Sequence, residues 1–191
     1  STFAGSGAAG STNATGTSAK FYNPRGITTD GTNLYVADIS NHRIRKIVIS
    51  TGVVTTLAGS SSGYTDATGT SAKFNNPHGI ITDGTNLYVS DTGNHRIRKI
   101  VISTGVVTTF AGSGSQGFAD GTGTSAKFNS PEGITTDGTN LYVSDTRNQK
   151  IRKIVISTGV VTTLAGGSTA SFNLPRGITT DGTNLYVTDV D

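Results

Sequence analysis

Four residues that differ between otherwise near-identical segments carry the chemistry of a charged binding site. Each stands between a proline and a glycine, and the four are Arg25, His78, Glu132 and Arg176. Guanidinium, imidazole and carboxylate groups recognise ligands through charge-assisted hydrogen bonds. We therefore expect a ligand-binding site of mixed sign at these positions. Random drift between repeated copies is the alternative explanation of their differences.

An aspartate follows the second predicted strand of each copy, and in three copies an asparagine stands three residues later, a pattern of oxygen ligands that a bound cation can use. The aspartates are Asp38, Asp91, Asp145 and Asp189, and the asparagines are Asn41, Asn94 and Asn148. An arginine follows the first two aspartates by five residues, at Arg43 and Arg96, and already supplies a positive charge. The sequence thus predicts Asp–Arg pairs with asparagine caps on the turn, and no cation site.

The three histidines are too few and too scattered for a metal centre. His42 and His95 occupy equivalent positions, but the third copy has Gln149 there, and His78 stands elsewhere. Cysteine is absent, which removes thiolate ligands and thiol nucleophiles. The sequence contains no phosphate-binding glycine loop that leads into a helix, and no marked Ser-His-Asp arrangement. We expect no enzyme activity, no metal and no cofactor.

A repeated basic run, Arg-Ile-Arg-Lys-Ile, raises the possibility of nucleic-acid binding. The chain has 15 Lys and Arg against 12 Asp and Glu, a net charge of +3. Long cations that alternate along a strand usually extend past a packed face to water, and this is the interpretation we prefer. We expect the tyrosines of the Leu-Tyr-Val segments to be buried, which leaves Tyr22 and Tyr64 in the loops for stacking. Nucleic acid is therefore not an expected partner.

These residues belong to a long internal repeat. Residues 24–59, 77–112 and 131–166 are nearly the same sequence, and 175–191 begins a fourth copy. A period of this size indicates a supersecondary unit that buries its apolar faces only by stacking on its copies.

Turn residues divide each copy into four predicted strands. In the first copy the strands are residues 26–29, 34–36, 43–49 and 53–57, separated by Asp-Gly, polar and Ser-Thr-Gly connections. Four antiparallel strands in each repeat, joined by short turns, are typical of a β-propeller blade. The predicted fold class is all-β, a propeller of about four repeats.

The repeat resembles the NHL repeat. The motif Pro-x-Gly-Ile-x-x-Asp-Gly-x-x-Leu-Tyr-Val-x-Asp-x-x-Asn-x-x-Ile is complete in three copies, and the fourth matches as far as it runs. The resemblance implies a propeller, commonly six-bladed, that serves mostly in recognition. The family includes RNA-binding proteins, sensor domains of bacterial membrane kinases and a metal-dependent peptide-amidating lyase, whose histidine ligands this sequence does not match.

The two ends of the chain predict a shared blade. Thr2-Phe3-Ala4-Gly5 matches the end of a fourth strand, while 175–191 supplies only the first two strands of a blade. We expect residues 1–191 to form one propeller or propeller segment, with a split terminal blade built from 175–191 and 1–5. Because the third strand of that blade is absent, neighbouring chains could complete one another instead.

The expected function is that of a binding module. Met, Cys and Trp are absent, which suits an extracellular or cell-surface location and indicates a processed or excised piece. The sequence has no apolar run long enough for a membrane span. The leading hypothesis is a bacterial-like, non-enzymatic propeller that binds a protein or another ligand on its variable loops. The alternative is a structural protein that self-assembles into oligomers or filaments.

Overall fold

The computed structural model describes residues 1–167 and 171–190, and it is all-β. In chain order the strands are β1 (Pro24–Thr29), β2 (Asn33–Asp38), β3 (Arg43–Val48), β4 (Val54–Ala58), β5 (Pro77–Thr82), β6 (Asn86–Asp91), β7 (Arg96–Val101), β8 (Val107–Ala111), β9 (Gly121–Thr122), β10 (Pro131–Thr136), β11 (Asn140–Asp145), β12 (Lys150–Val155), β13 (Val160–Ala165), β14 (Ile178–Thr180) and β15 (Leu185–Val187). The predicted all-β class is confirmed.

The strands form antiparallel sheets in sequence order. The first sheet is β1-β2-β3-β4, the second is β5-β6-β7-β8, and the third is β10-β11-β12-β13 with the short β9 added beside β13. A two-stranded sheet, the terminal hairpin, contains β14 and β15. The strand that begins each sheet is its inner strand, and β1 packs beside β5, β5 beside β10, and β10 beside β14.

Short 3-10 turns join the strands and the sheets. They are Gly16–Ser18, Ile39–Asn41, Gly69–Ser71, Thr92–Asn94, Gly123–Ser125 and Thr146–Asn148. In the described part of the chain, no helix is long and apolar enough to cross a membrane.

The Asp-Gly turns form as the sequence predicts, and each is fixed by its aspartate. In the first sheet, Gly31 has a φ of 87°, and Asp30 Oδ1 accepts hydrogen bonds from the backbone N–H groups of Thr32 and Asn33. The hydroxyl of Tyr35 donates to Asp30 Oδ2 at 2.7 Å. Burial raises the pKa of Asp30, but these hydrogen bonds outweigh it and hold the pKa well below its usual range.

Apolar side chains from adjacent sheets interlock to form the core. Tyr35 and Ile44 of the first sheet are fully buried against Leu87, Val89 and Ile100 of the second. Equivalent residues of the second and third sheets form a second cluster. The predicted burial of tyrosine is confirmed at Tyr35 and Tyr88, which lie between sheets, whereas Tyr142 is only half-buried. Tyr186, on the terminal hairpin, is exposed.

The middle arginine of each basic run is fully buried, which corrects our expectation that these cations extend to water. These residues are Arg45, Arg98 and Arg152. Arg98 donates to the Asp91 carboxylate at 2.8 Å and to the backbone carbonyls of Lys73 and Thr65 in the loop between sheets. Its guanidinium also lies 5.1 Å from the centre of the Phe74 ring. The loop supplies the acceptors that make this burial possible.

The aspartate that ends the second strand therefore pairs with a different arginine from the one predicted. Asp38 lies directly opposite Arg43 in the strand register, but its carboxylate pairs with Arg45 at 2.8 Å. Arg45 lies two residues further along β3, so its side chain is on the same face of the sheet as those of Arg43 and Asp38. From there it reaches the carboxylate of Asp38 diagonally across the two strands. The predicted asparagine cap is present, since Asn41 donates to Asp38 Oδ2 at 2.8 Å.

Residues 1–5 and 175–191, which we predict to share a blade, have no common sheet among the described residues. In the described part of the chain, β14 and β15 pair only with each other, and residues 1–5 contain no strand. Ala4 instead packs against the first sheet, and Gly5 N–H donates to Gly16 O as Gly112 N–H does to Gly123 O.

One position in the loop before the first sheet lacks a contact that the equivalent loops before the second and third sheets make. Asp66 accepts hydrogen bonds from Arg98 and from the backbone N–H of Thr109, whereas the equivalent Asn13 accepts from Arg45 but not from a backbone N–H. We predict that Asn13→Asp raises the free energy of unfolding by about 0.5–1.5 kcal/mol, the usual net worth of one hydrogen bond.

Urea denaturation would measure this change, with Asp66→Asn as the mirror variant that should lose a similar amount. Equal stability of Asn13→Asp and the parent chain would contradict the assignment.

Candidate functional site

The inner strands begin with an irregularity that turns the candidate site residues towards one another. In each of the three sheets the register between the first two strands shifts between the proline and the isoleucine of the Pro-x-Gly-Ile segment. Such bulges redirect a side chain away from the regular alternation of a strand. Arg25, His78 and Glu132 all lie within these bulges.

The glycine that follows each of these residues permits close contact between neighbouring inner strands. A Cβ at Gly26 would overlap the carbonyl oxygen of His78. A Cβ at Gly79 would overlap that of Glu132, and one at Gly133 would overlap that of Arg176. Each glycine thus lies against the variable residue of the next repeat, and the four variable residues follow one another side by side.

The structure brings all four candidate residues to one cavity of about 370 Å³. Its lining residues are Asn23, Arg25, Ile39, Ser40, Asn76, His78, Glu132 and Arg176. A second cavity of about 320 Å³ is lined by the same arginines and histidine together with the glycines and isoleucines that follow the variable positions. We call the first the charged cavity.

Glu132 is the acidic centre of the charged cavity. Its Oε2 lies 3.6 Å from His78 Nε2 and 3.8 Å from Arg176 Nε. The side chain is only 14% exposed, and within the described residues no donor forms a hydrogen bond to Oε2. Arg25 is exposed and takes no part in the ion pairs around Glu132.

The environment of His78 keeps its imidazole neutral at neutral pH. Burial lowers the pKa of His78 below its ordinary value of 6.5. The Glu132 carboxylate acts in the opposite direction and raises that pKa, while the guanidinium groups of Arg25 and Arg176 lower it further.

The other two histidines have structural roles between sheets. His42 Nδ1 accepts a hydrogen bond from the backbone N–H of Asn76, and His95 Nδ1 accepts one from Ser130, both at 3.1 Å. Each histidine adopts a left-handed backbone conformation at the end of a 3-10 turn and contacts the start of the next sheet. Burial lowers the pKa of both.

The aspartates that the sequence offered as possible cation ligands form contacts within the protein instead. Asp38, Asp91 and Asp145 each pair with a buried arginine, and Asp189 accepts a hydrogen bond from Asn173 N–H. Among the residues that the structure describes, no group of three or more His, Asp or Glu side chains is arranged to hold a metal ion.

Of the two loop tyrosines, Tyr22 is exposed and Tyr64 contacts an arginine of its own chain. The guanidinium of Arg96 lies 3.7 Å from the centre of the Tyr64 ring. Tyr64 is therefore already stacked on a cation of its own chain, although part of the ring is exposed.

Sequence reasoning identified part of the cavity lining and missed another part. Ile39 and Ser40 also line the cavity, and they belong to a connection at which the copies differ in sequence. Asn23 and Asn76 were not expected. The Asn-Pro pair at the start of the first two copies could have identified them. Asparagine tolerates the left-handed backbone conformation that both residues adopt, with a φ of 53°.

Comparison with known proteins places these features in a wider group. The family model described as NHL repeat matches residues 74–100. The chain is 33% identical over 153 residues to Protein SUPPRESSOR OF QUENCHING 1, chloroplastic, from Arabidopsis thaliana, covering 73% of this chain and 14% of the relative. It is 40% identical over 96 residues to NHL repeat-containing protein 2 from Gallus gallus, covering 49% of this chain and 13% of the relative.

Solved structures show the same fold at low identity. An auxiliary nutrient binding protein from Bacteroides ovatus superposes with a TM-score of 0.69 at 20% identity, covering 90% of this chain and 46% of that one. Virginiamycin B lyase from Staphylococcus aureus superposes with a TM-score of 0.59 at 23% identity, covering 87% and 48%. The chain therefore spans less than half the length of each of these two proteins.

The placement of His78 can be tested by its titration. We predict that Glu132→Gln lowers the pKa of His78, because the variant removes the carboxylate that favours the imidazolium. Arg25→Gln should raise the same pKa, because it removes a repelling cation. NMR titration of the imidazole resonances measures both shifts.

His42 provides the internal control for this titration, since burial is the cause of its shift and Glu132 is not. A His78 pKa that stays fixed in both variants would show that the charged cavity does not assemble as described.

Proposed function

Because the chain belongs to the NHL-repeat family, we propose that it is a non-enzymatic propeller module that binds its partner at the charged cavity. The observation that carries this proposal is that the four residues at which the repeats differ most in charge lie together in the structure. Arg25, His78, Glu132 and Arg176 line one cavity, while the conserved turns of the repeats are fixed by hydrogen bonds within the scaffold. Loops on a rigid scaffold are where binding residues usually lie.

The proposed architecture is a propeller in which each sheet is one blade. The terminal hairpin is then the inner half of a fourth blade, whose outer strands are not supplied by the described residues. The proposed ligand-contacting residues are the four charged-cavity residues named above, and the partner is a protein or a small molecule.

A binding role agrees better with the site than catalysis does. His78 and Glu132 offer one imidazole and one carboxylate, and the other two histidines hold the scaffold through Nδ1. The fold is shared with a lyase and also with a protein described as nutrient binding, so the fold alone favours neither role. An extracellular, bacterial setting is part of the proposal, and the absence of Cys, Met and Trp supports its extracellular part.

Charge reversal at the cavity tests the binding role. Thermal-shift screening of the full chain against a library of metabolites and peptides should yield ligands whose binding is lost in Arg25→Glu and Arg176→Glu. Arg147→Glu is the matched control, because Arg147 also varies between copies but lies outside the charged cavity. Ligands that bind all three variants as they bind the parent chain, or a screen without any ligand, would contradict the proposal.

A second candidate function, self-assembly, is favoured by the uncovered face of the first sheet. Ile27 is 58% exposed, whereas the equivalent Ile80 and Ile134 are 4% and 6% exposed beneath a neighbouring sheet. A groove of about 370 Å³ on this face is lined by Phe3, Ile27, Leu34 and Ile47, among others. We propose a second copy of this chain as the occupant, because the same apolar surface is already covered by a sheet of this chain at both internal interfaces.

Light scattering at increasing concentration tests the second candidate. The parent chain should form dimers or larger species that Ile27→Asp disrupts, because a carboxylate in the groove opposes burial. Ile49→Asp, at an exposed position outside the groove, is the control. A parent chain that stays monomeric at high concentration would remove this candidate.

A further inference from the structure

The charged cavity contains an acceptor that its own residues leave unsatisfied. Glu132 Oε2 is buried, and its neighbours His78 and Arg176 lie 3.6 and 3.8 Å away, beyond hydrogen-bond distance. A buried carboxylate oxygen without a donor is costly, so a bound donor would stabilise the site. Any ligand of this cavity thus gains from presenting a hydroxyl or an N–H to Glu132.

The same cavity has a guanidinium group that is available to bind an anionic ligand. The Glu132 carboxylate is shared between His78 and Arg176, while Arg25 takes no part in those ion pairs. With His78 neutral, two guanidinium groups and one carboxylate leave one net positive charge. A ligand that carries a single negative charge complements the site, and Arg25 is the group that faces it.

Neutral polar groups at the rim complete the pattern. Asn23 Nδ2 donates to Ser40 Oγ at 3.0 Å, and Asn76 lies beside them in the lining. Amide and hydroxyl groups of this kind both donate and accept, and they match ligand hydroxyls. The volume of about 370 Å³ is at the small end of the range of roughly 300–1,000 Å³ for small-molecule sites.

We propose that the charged cavity binds a small carboxylic acid that bears neighbouring hydroxyl groups, such as a sugar acid. Its carboxylate pairs with Arg25, and one hydroxyl donates to the partly exposed carboxylate of Glu132. This inference rests on the proposed binding function and specifies the ligand of that same site. A zwitterion is less suited, because its net charge of zero leaves the positive charge of the cavity uncompensated.

Isothermal titration of the full chain with D-glucuronate tests the proposal. D-glucose, which lacks the carboxylate, and propionate, which lacks the hydroxyls, should each bind at least about tenfold more weakly, because each loses one charge-assisted hydrogen bond. L-alanine serves as the zwitterionic probe. Propionate or L-alanine binding as tightly as D-glucuronate would overturn the inference.

Two variants separate this site from a simple anion site. Arg25→Gln should weaken D-glucuronate binding about tenfold or more, while Arg147→Gln should leave it unchanged. Glu132→Gln should also weaken D-glucuronate, although it removes a negative charge and would strengthen binding of any plain anion. Tighter D-glucuronate binding by Glu132→Gln would overturn the assigned contact.

The ligand class can prove wrong without the proposed binding function being wrong. If D-glucuronate and D-gluconate both fail to bind, the ligand class is wrong. The library screen with Arg25→Glu then decides separately whether the charged cavity binds anything.

Discussion

The close approach of neighbouring inner strands is the constraint on which the rest of the structure depends. At three successive repeats, a glycine Cα lies against the backbone carbonyl of the variable residue in the next repeat, with no room for a Cβ. This contact sets the distance between the sheets at their inner edge. It therefore fixes both the apolar interfaces further out and the spacing of Arg25, His78, Glu132 and Arg176. One steric requirement thus links the packing of the repeats to the candidate site.

A second interaction holds the third strand of each four-stranded sheet in place. In the second sheet this is the buried guanidinium of Arg98 on the third strand. It donates to Asp91, the last residue of the second strand, and to backbone carbonyls of the loop that comes from the previous sheet. Removing one partner from such a buried pair usually costs about 3–5 kcal/mol, because it leaves an uncompensated charge. The glycine contact acts on the first strand and the arginine on the third strand, and together they define how consecutive repeats are oriented.

The sequence was informative where a local signal decides the structure. Asp30-Gly31 and its copies form the predicted turns, and the variable position of the Pro-x-Gly segment was enough to select the residues that meet at the cavity. It was uninformative where the outcome depends on tertiary contacts. The choice of Arg45 over Arg43 as the partner of Asp38 depends on carbonyl groups of a distant loop, which no local pattern contains. The position of residues 1–5 likewise depends on which sheet has an uncovered face.

The central claim is that residues from the first and last repeats meet at one cavity, and a crosslinking experiment tests it most directly. The chain contains no cysteine, so Arg25→Cys with Arg176→Cys gives a clean pair, and Arg25→Cys with Arg147→Cys gives the control. A short bismaleimide should join residues 25 and 176 within one chain much faster than residues 25 and 147, as followed by mass spectrometry of digested protein. Equal rates for the two pairs, or no crosslink within one chain between 25 and 176, would contradict the account.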